Sequence, residues 1–178
     1  MTIKYNNVFI EDAYTICGNY ENDGPLSKYF DKKYEKDLYF GEKSWEQAEV
    51  HLLKEANTNI LKKNKLKEED IDLLISGDLQ NQIAASNYMA REFNIPFLGI
   101  FEACSTSGEG LAIGSTYIEG GFAKRILVST SSHNMAAEKQ FRNPTEYGTP
   151  KPKTATFTST GGVSILLSNK KSKVKVES

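Results

Sequence analysis

IPFLGIFEACSTSGEGLAIGSTYIEGG, residues 95–121, holds a strand, a turn and a helix in one run. Phe97–Phe101 has the length and apolar character of a buried strand. Thr106 to Glu119 reads as a helix, and Cys104 lies in the turn at its N-terminal end. Unpaired backbone N–H groups and the positive end of the helix dipole collect there, and they bias a thiol toward the nucleophilic thiolate. The helix is rich in small residues: Gly108, Gly110, Ala112, Gly114 and Ser115. A glycine inside a helix costs ~1 kcal/mol against alanine. So many small residues predict another backbone packed close, with the helix buried on most sides.

The flanking segments extend this unit in both directions. Val8–Ile16 is a candidate first strand interrupted by Glu11-Asp12. Residues 19–43 are polar and irregular but carry Tyr29, Phe30, Tyr34, Tyr39 and Phe40, which predicts a loop, with at most one helical turn, packed on the body. Ser44 and Gln47 form a capping-box pattern. Trp45, Ala48, Leu52, Ala56 and Ile60 then recur at helical spacing, predicting a helix over Trp45–Lys63. Ile71–Ser76 is a strand, Asn81–Phe93 a helix, and Arg125–Thr130 a strand that runs into Ser131-Ser132-His133-Asn134. Strands alternating with helices predict a βαβαβ unit with parallel strands. Glu138–Lys153 is a loop with Pro144, Pro150 and Pro152. Thr154–Thr160 and Val163–Leu167 read as two closing strands joined at Gly161-Gly162 in a hairpin. Lys170–Lys175 reads as an exposed connection to a further strand that the chain does not contain.

Composition narrows the function. At 178 residues the chain can bury one core, and its net charge of −1, without an aromatic and basic stripe, gives nucleic acid no purchase. Two cysteines are too few for a disulfide framework. The first residues lack the apolar centre of a signal peptide, and no apolar run approaches the ~20 residues of a membrane span. Any membrane association is therefore expected to be peripheral. No phosphate-binding glycine loop, paired-histidine metal motif or Gly-x-Ser-x-Gly elbow occurs.

Ligands of open α/β sheets sit outside the carboxyl ends of the strands. Three predicted strand ends carry polar or reactive groups: Asp78, Cys104, and His133 with Asn134. Parallel neighbouring strands would bring them to one crevice. Each also has a structural reading: Cys104 as a small buried thiol, Asp78 as a cap or turn residue, and His133-Asn134 as turn residues. His51, on the Trp45 helix, reads as structural.

EACSTSGEGLAIGSTYIEGGFAKRILVSTSSHN, from Glu102, resembles the N-terminal half of a thiolase-fold protein. The expected fold class is thus α/β, a thiolase-like half with a βαβαβ mixed sheet and the Cys-bearing small-residue helix packed on one face. Residues 1–178 are expected to form a single thiolase-like N-terminal domain without the second pseudo-repeat. DGPLSKYFDKKYEKD (23–37), SWEQAE (44–49), ISGDLQNQ (75–82), SSHN (131–134) and FRNPTEYGTPKPKTAT (141–156) are similar to the stage V sporulation protein AD family. That resemblance implies a soluble component of the spore's dipicolinic acid channel system, peripheral at the spore inner membrane with membrane-embedded partners. It implies binding of dipicolinic acid, alone or with calcium, for uptake into the developing spore.

On the same resemblance, Asp78, Cys104 and His133 match pocket positions, and Cys104 matches the nucleophile position of condensing enzymes. Asn134 and Arg142 are further candidates for ligand binding. Helix-end N–H groups suit one carboxylate, and a histidine or an inward-turned Arg142 the other. Asp78 would repel a bare dianion unless calcium bridged the two. Condensing enzymes draw their remaining catalytic groups from a second half, so the expectation is a binding protein without catalytic residues, metal site or resident cofactor. The alternatives are an acyl-transferring enzyme using Cys104 and a non-binding scaffold for channel proteins. With its counterpart missing, the Thr106–Glu119 helix would leave its Gly/Ala face and Leu111, Ile113 and Ile118 partly exposed, which predicts self-association or a second-half partner there.

Overall fold

The computed structural model describes residues 3–142, 154 and 156–178. Among the described residues, seven strands form one mixed sheet: β1 (Phe9–Cys17), β2 (Lys32–Lys33), β3 (Leu73–Gly77), β4 (Phe97–Gly99), β5 (Arg125–Ser132), β6 (Gly161–Ser168) and β7 (Val174–Lys175). Their order is β2-β1-β6-β5-β3-β4, with β7 also on β1. β3 is parallel to both β4 and β5, and β6 runs antiparallel to β5 and β1. The helices are α1 (Asn19–Asn22), α2 (Trp45–Lys63), α3 (Ala84–Ala90), α4 (Thr106–Glu119) and α5 (Asn134–Ala137).

Period-2 alternation in the central strands splits the core between the two faces. Leu74, Leu127 and Leu166 join Leu53 and Ile60 of α2 and Met89 of α3. Their strand neighbours Ile75, Ile126, Val128 and Leu167 join Ile118 of α4 on the other face. α2 starts as its sequence dictates: Ser44 Oγ accepts from Gln47 N at 3.2 Å, and Gln47 Oε1 accepts from Lys43 N at 3.3 Å. The polar pair inside β1 marks a bulge, where the register shifts between Ile10 and Asp12. Glu11 there takes Arg125 of β5 at 2.9 Å, and Asp12 takes Lys63 of α2 at 2.9 Å.

Several expectations change. The predicted Asn81–Phe93 helix is only Ala84–Ala90, because Gln82 (φ 59°) and Ile83 (φ 48°) are left-handed and break it at its start. No hairpin forms at Gly161-Gly162: both glycines lie inside β6, and residues 156–160 form no strand. A Cβ on Gly162 would stand 3.2 Å from the Leu52 carbonyl oxygen, so the glycine admits the backbone of α2 rather than a turn. Val174–Lys175 is itself a strand, β7, in the stretch expected to be only a connection. Two residues of the aromatic-rich loop, Lys32–Lys33, pair with β1 as β2. Of the predicted Glu138–Lys153 loop, Glu138–Arg142 forms a π-type turn. Residues 143–153, with the three prolines and the PTEYG motif, lie outside the described residues.

Among the described residues α4 packs on the sheet along one side, with Tyr5 reaching Ala112 and Thr116 from the N-terminal segment. Cβ atoms on Gly110 and Gly114 would fall 2.6 Å from Val128 Cγ1 and 3.0 Å from Leu167 Cδ1, so the small residues bring the helix onto the side chains of the sheet. Its outer side, with Gly108, Ala112, Thr116 and Tyr117, is exposed. Leu111 and Ile113 are half-buried against the core, in keeping with partial exposure, whereas Ile118 is buried rather than partly exposed.

Candidate functional site

The parallel strands β3, β4 and β5 end on the same side, where the antiparallel β6 begins and β1 ends. A cavity of about 670 Å³ opens there. Asp78, Cys104 and Arg142 line it, together with a set of hydroxyls that includes Ser107, Thr130, Ser131 and Ser132. Phe30, Phe141 and Phe157 contribute apolar wall. A larger hollow of about 990 Å³ lies between α2 and α3. Its walls mix charged surface side chains such as Lys54, Glu55, Arg91 and Glu92 with Val50, Ala84 and Tyr88, and neither Cys104 nor Arg142 reaches it.

Cys104 sits in a single 3₁₀ turn, Ala103–Ser105, that leads into α4. Ala103 is left-handed at φ 48°, a conformation in which non-glycine residues are uncommon. Thr106 pins the turn, donating to the Ala103 carbonyl at 2.8 Å and accepting from Glu102 N at 3.1 Å. The thiol is exposed, so its reading as a small buried residue does not hold. Ser107 and Thr130 hydroxyls meet at 2.8 Å on the adjoining wall. Arg142 approaches from the far side, donating to Thr156 Oγ1 at 3.1 Å, with Glu138 at 3.8 Å.

Asp78 lies at the rim but is buried. Its carboxylate accepts from Gln80 N at 2.9 Å and Ser86 N at 2.7 Å, tying the chain after β3 to α3. Burial pushes its carboxyl above the ordinary carboxylate range, against the hydrogen bonds from Ser86 and Gln80 that favour the ion. Calcium takes about six to eight oxygen ligands. Among the described residues no group of three His, Cys, Asp or Glu could hold a metal ion, and both Asp78 oxygens already have donors. Asp78, a single carboxylate with a donor already on each oxygen, does not make a calcium site by itself.

His133 and Asn134 stand next to the cavity without lining it. His133 is completely buried. Its Nδ1 accepts from Met135 N at 3.2 Å, so Nε2 carries the proton and donates to the Leu38 carbonyl at 2.8 Å. Burial lowers its pKa and keeps this tautomer neutral. Asn134 holds a wall of the cavity: its N donates to Thr160 Oγ1 and its Nδ2 to the Thr158 carbonyl, each at 2.8 Å.

The site has one member that motif reading missed. Glu49 of α2 is fully buried behind the cavity, where it accepts from Gln80 Nε2 at 2.9 Å and from Ser131 Oγ at 3.0 Å. Burial, and after it the charge of Asp78, raises its carboxyl to about 8. The sequence signal is its place within the apolar stripe, beside Ala48 and three residues before Leu52.

The sequence matches the family model of stage V sporulation protein AD (SpoVAD) over residues 1–178. It is 49% identical over 171 residues to stage V sporulation protein AD of Bacillus subtilis (strain 168), covering 96% of this chain and 50% of that protein. The chain thus spans about half the length of the curated relative it matches. A variant of OleA from Xanthomonas campestris superposes with a TM-score of 0.59 at 14% identity, over 94% of this chain and 60% of that one. The 3-oxoacyl-[acyl-carrier-protein] synthase III of Aquifex aeolicus VF5 gives 0.56 at 17%, over 96% and 54%. These neighbours show a thiolase-like α/β fold.

Proposed function

We propose that this chain, which belongs to the stage V sporulation protein AD family, binds dipicolinic acid in the cavity beside Cys104 and serves its uptake into the developing spore. One observation carries the reading: Arg142 and a wall of hydroxyls converge on a cavity of about 670 Å³ at the head of α4. A small flat dianion needs donors at both ends and a dry face for its ring. Arg142 suits one carboxylate and the hydroxyls with the helix end suit the other, while Phe30, Phe141 and Phe157 offer the face. Calcium, where it accompanies the ligand, is held by the ligand's own oxygens.

Binding is favoured over acyl transfer because the described walls of the cavity hold no imidazole to activate Cys104. His133, the nearest candidate, is turned to the Leu38 carbonyl. No helix among the described residues is long and apolar enough to cross a membrane, which suits a peripheral partner of channel proteins at the spore inner membrane. Calorimetric titration with dipicolinate tests the reading. Saturable binding is expected, weakened about tenfold or more in Arg142→Ala by loss of a charged hydrogen bond. An Arg142→Ala protein that binds as well as the parent, or a parent that does not bind, removes it.

The exposed side of α4 is the surface on which a second copy of this chain packs. Gly108 has open space around it, with nothing within 4 Å of a Cβ built there, and Ala112 continues the same small-residue row. Two such rows can approach closely, and a two-fold pair presents the same patch from both sides. Sedimentation velocity over a wide concentration range is expected to show a dimer, whereas a monomer throughout overturns the assignment.

A further inference from the structure

Glu49 stands behind the cavity wall with one side-chain donor on each carboxyl oxygen: Gln80 Nε2 at Oε2 and Ser131 at Oε1. Ser131 itself lines the cavity, so a buried acid is one hydrogen bond away from any ligand there. The ionic state of that acid fixes the direction of the Ser131 hydroxyl. A carboxylate accepts the Ser131 O–H, which leaves only oxygen lone pairs for the cavity. A carboxylic acid protonated at Oε1 donates to Ser131 Oγ, which frees the Ser131 proton to point into the cavity. Gln80 donates to Oε2 in both states, and the His133 backbone N–H also donates to the carboxyl; a proton on Oε1 is the one that faces Ser131.

We propose that Glu49 is a positioning residue of the cavity: by taking a proton on Oε1 it turns the Ser131 hydroxyl toward a bound carboxylate, coupling anion binding to proton uptake. The choice of a carboxylate ligand rests on the dipicolinate reading above; the hydrogen-bond relay rests on geometry alone.

Burial and the charge of Asp78 favour the protonated form of Glu49, against the hydrogen bonds from Gln80, Ser131 and the His133 backbone N–H that favour the ion. From the chain after β3 comes Asp78, whose two backbone donors hold its own negative charge. On α2, Glu46 is neutralised by Lys139 at 3.1 Å. From the chain after β5, the His133 ring is neutral and faces Leu38, while its backbone N–H donates to the Glu49 carboxyl. With Glu49 raised to about 8, the acid form predominates at neutral pH. The sign follows. Below that value Ser131 is free to donate to an anion. Above it the donor is withdrawn and a second negative charge appears behind the wall.

Dipicolinate binding to the full chain is measured by calorimetry between about pH 6.5 and 9.5, where the ligand stays fully ionised, in buffers of different ionisation enthalpy. Affinity is expected to fall as pH rises through about 8, by up to about tenfold per pH unit, with proton uptake on binding in the alkaline range. In Glu49→Gln the amide N–H₂ donates permanently to Ser131, so the low-pH affinity is expected at every pH without proton uptake. Ser131→Ala is expected to bind more weakly at low pH and to lose most of the pH dependence. A flat profile in the parent, or the parent's profile in Glu49→Gln, overturns the proposal. Absence of binding at any pH removes the dipicolinate reading instead. Carbon-13 NMR of the Glu49 carboxyl in the ligand-free protein then decides the relay. A carboxyl ionised at neutral pH overturns it. One that titrates near 8, and higher still in Ser131→Ala, upholds it.

Discussion

The turns after β4 and β5 leave the same end of the sheet, and each carries a side chain able to do chemistry. Cys104 is exposed to the cavity, whereas His133 is fully buried, with both ring nitrogens occupied. The difference lies in what returns over each turn. After β4 the chain passes through one 3₁₀ turn directly into α4, leaving the cavity side open. After β5, the Leu38 carbonyl and the Phe40 ring, with ring centres 5.8 Å apart, close on His133 from far away in sequence. Residues 158–160 close on Asn134 from the other direction. A reactive residue at a strand end is available to a ligand only where no distant segment covers it.

Substitution at the two turns should separate them sharply. His133→Ala removes a buried ring and leaves the Leu38 carbonyl without its donor, a loss of about 2–4 kcal/mol. Cys104→Ala changes an exposed side chain and should move stability by no more than about 0.5 kcal/mol. Urea denaturation of both variants measures the gap, and equal midpoints would break the comparison. A ligand-binding loss in Cys104→Ala without a change in midpoint would sharpen it.

The same contrast explains what the sequence made legible. Elements whose burial comes from neighbouring strands and helices showed in their periodicity: α2 with its Ser44 cap, the apolar cores of β3 and β5, and the turn that presents Cys104. Positions decided by distant segments did not. Gly161-Gly162 resembles a hairpin turn, yet Gly162 is small because α2 passes over it. His133 and Asn134 have the composition of a ligand site, but their partners are residues 38 and 158–160, which no local pattern reveals. Asp78 lies at the rim of the cavity, and its oxygens face the chain's own N–H groups, as its reading as a cap or turn residue expects. Glu49 left a trace, as an acid among the buried positions of α2, but its role depends on Ser131, eighty-two residues later.

Within α4 the contrast between covered and open positions recurs over only two residues, and glycine substitutions read it out on a smaller scale. At Gly110 a methyl group would collide with Val128 on the sheet side, so Gly110→Ala should cost about 1–3 kcal/mol through overpacking. At Gly108 the methyl group enters open space, and alanine removes a helix-propensity penalty, so Gly108→Ala should gain up to about 1 kcal/mol. Thermal melts of the two variants should therefore shift in opposite directions. The Gly108 result also bears on what covers the outer side. If a second copy packs there at close helix spacing, Gly108→Ala stabilises the isolated chain yet weakens its association, and sedimentation velocity should show a smaller dimer fraction alongside the higher melting temperature. A variant that melts higher and still dimerises fully would place the contact elsewhere on the molecule, with Gly108 small for no reason of packing.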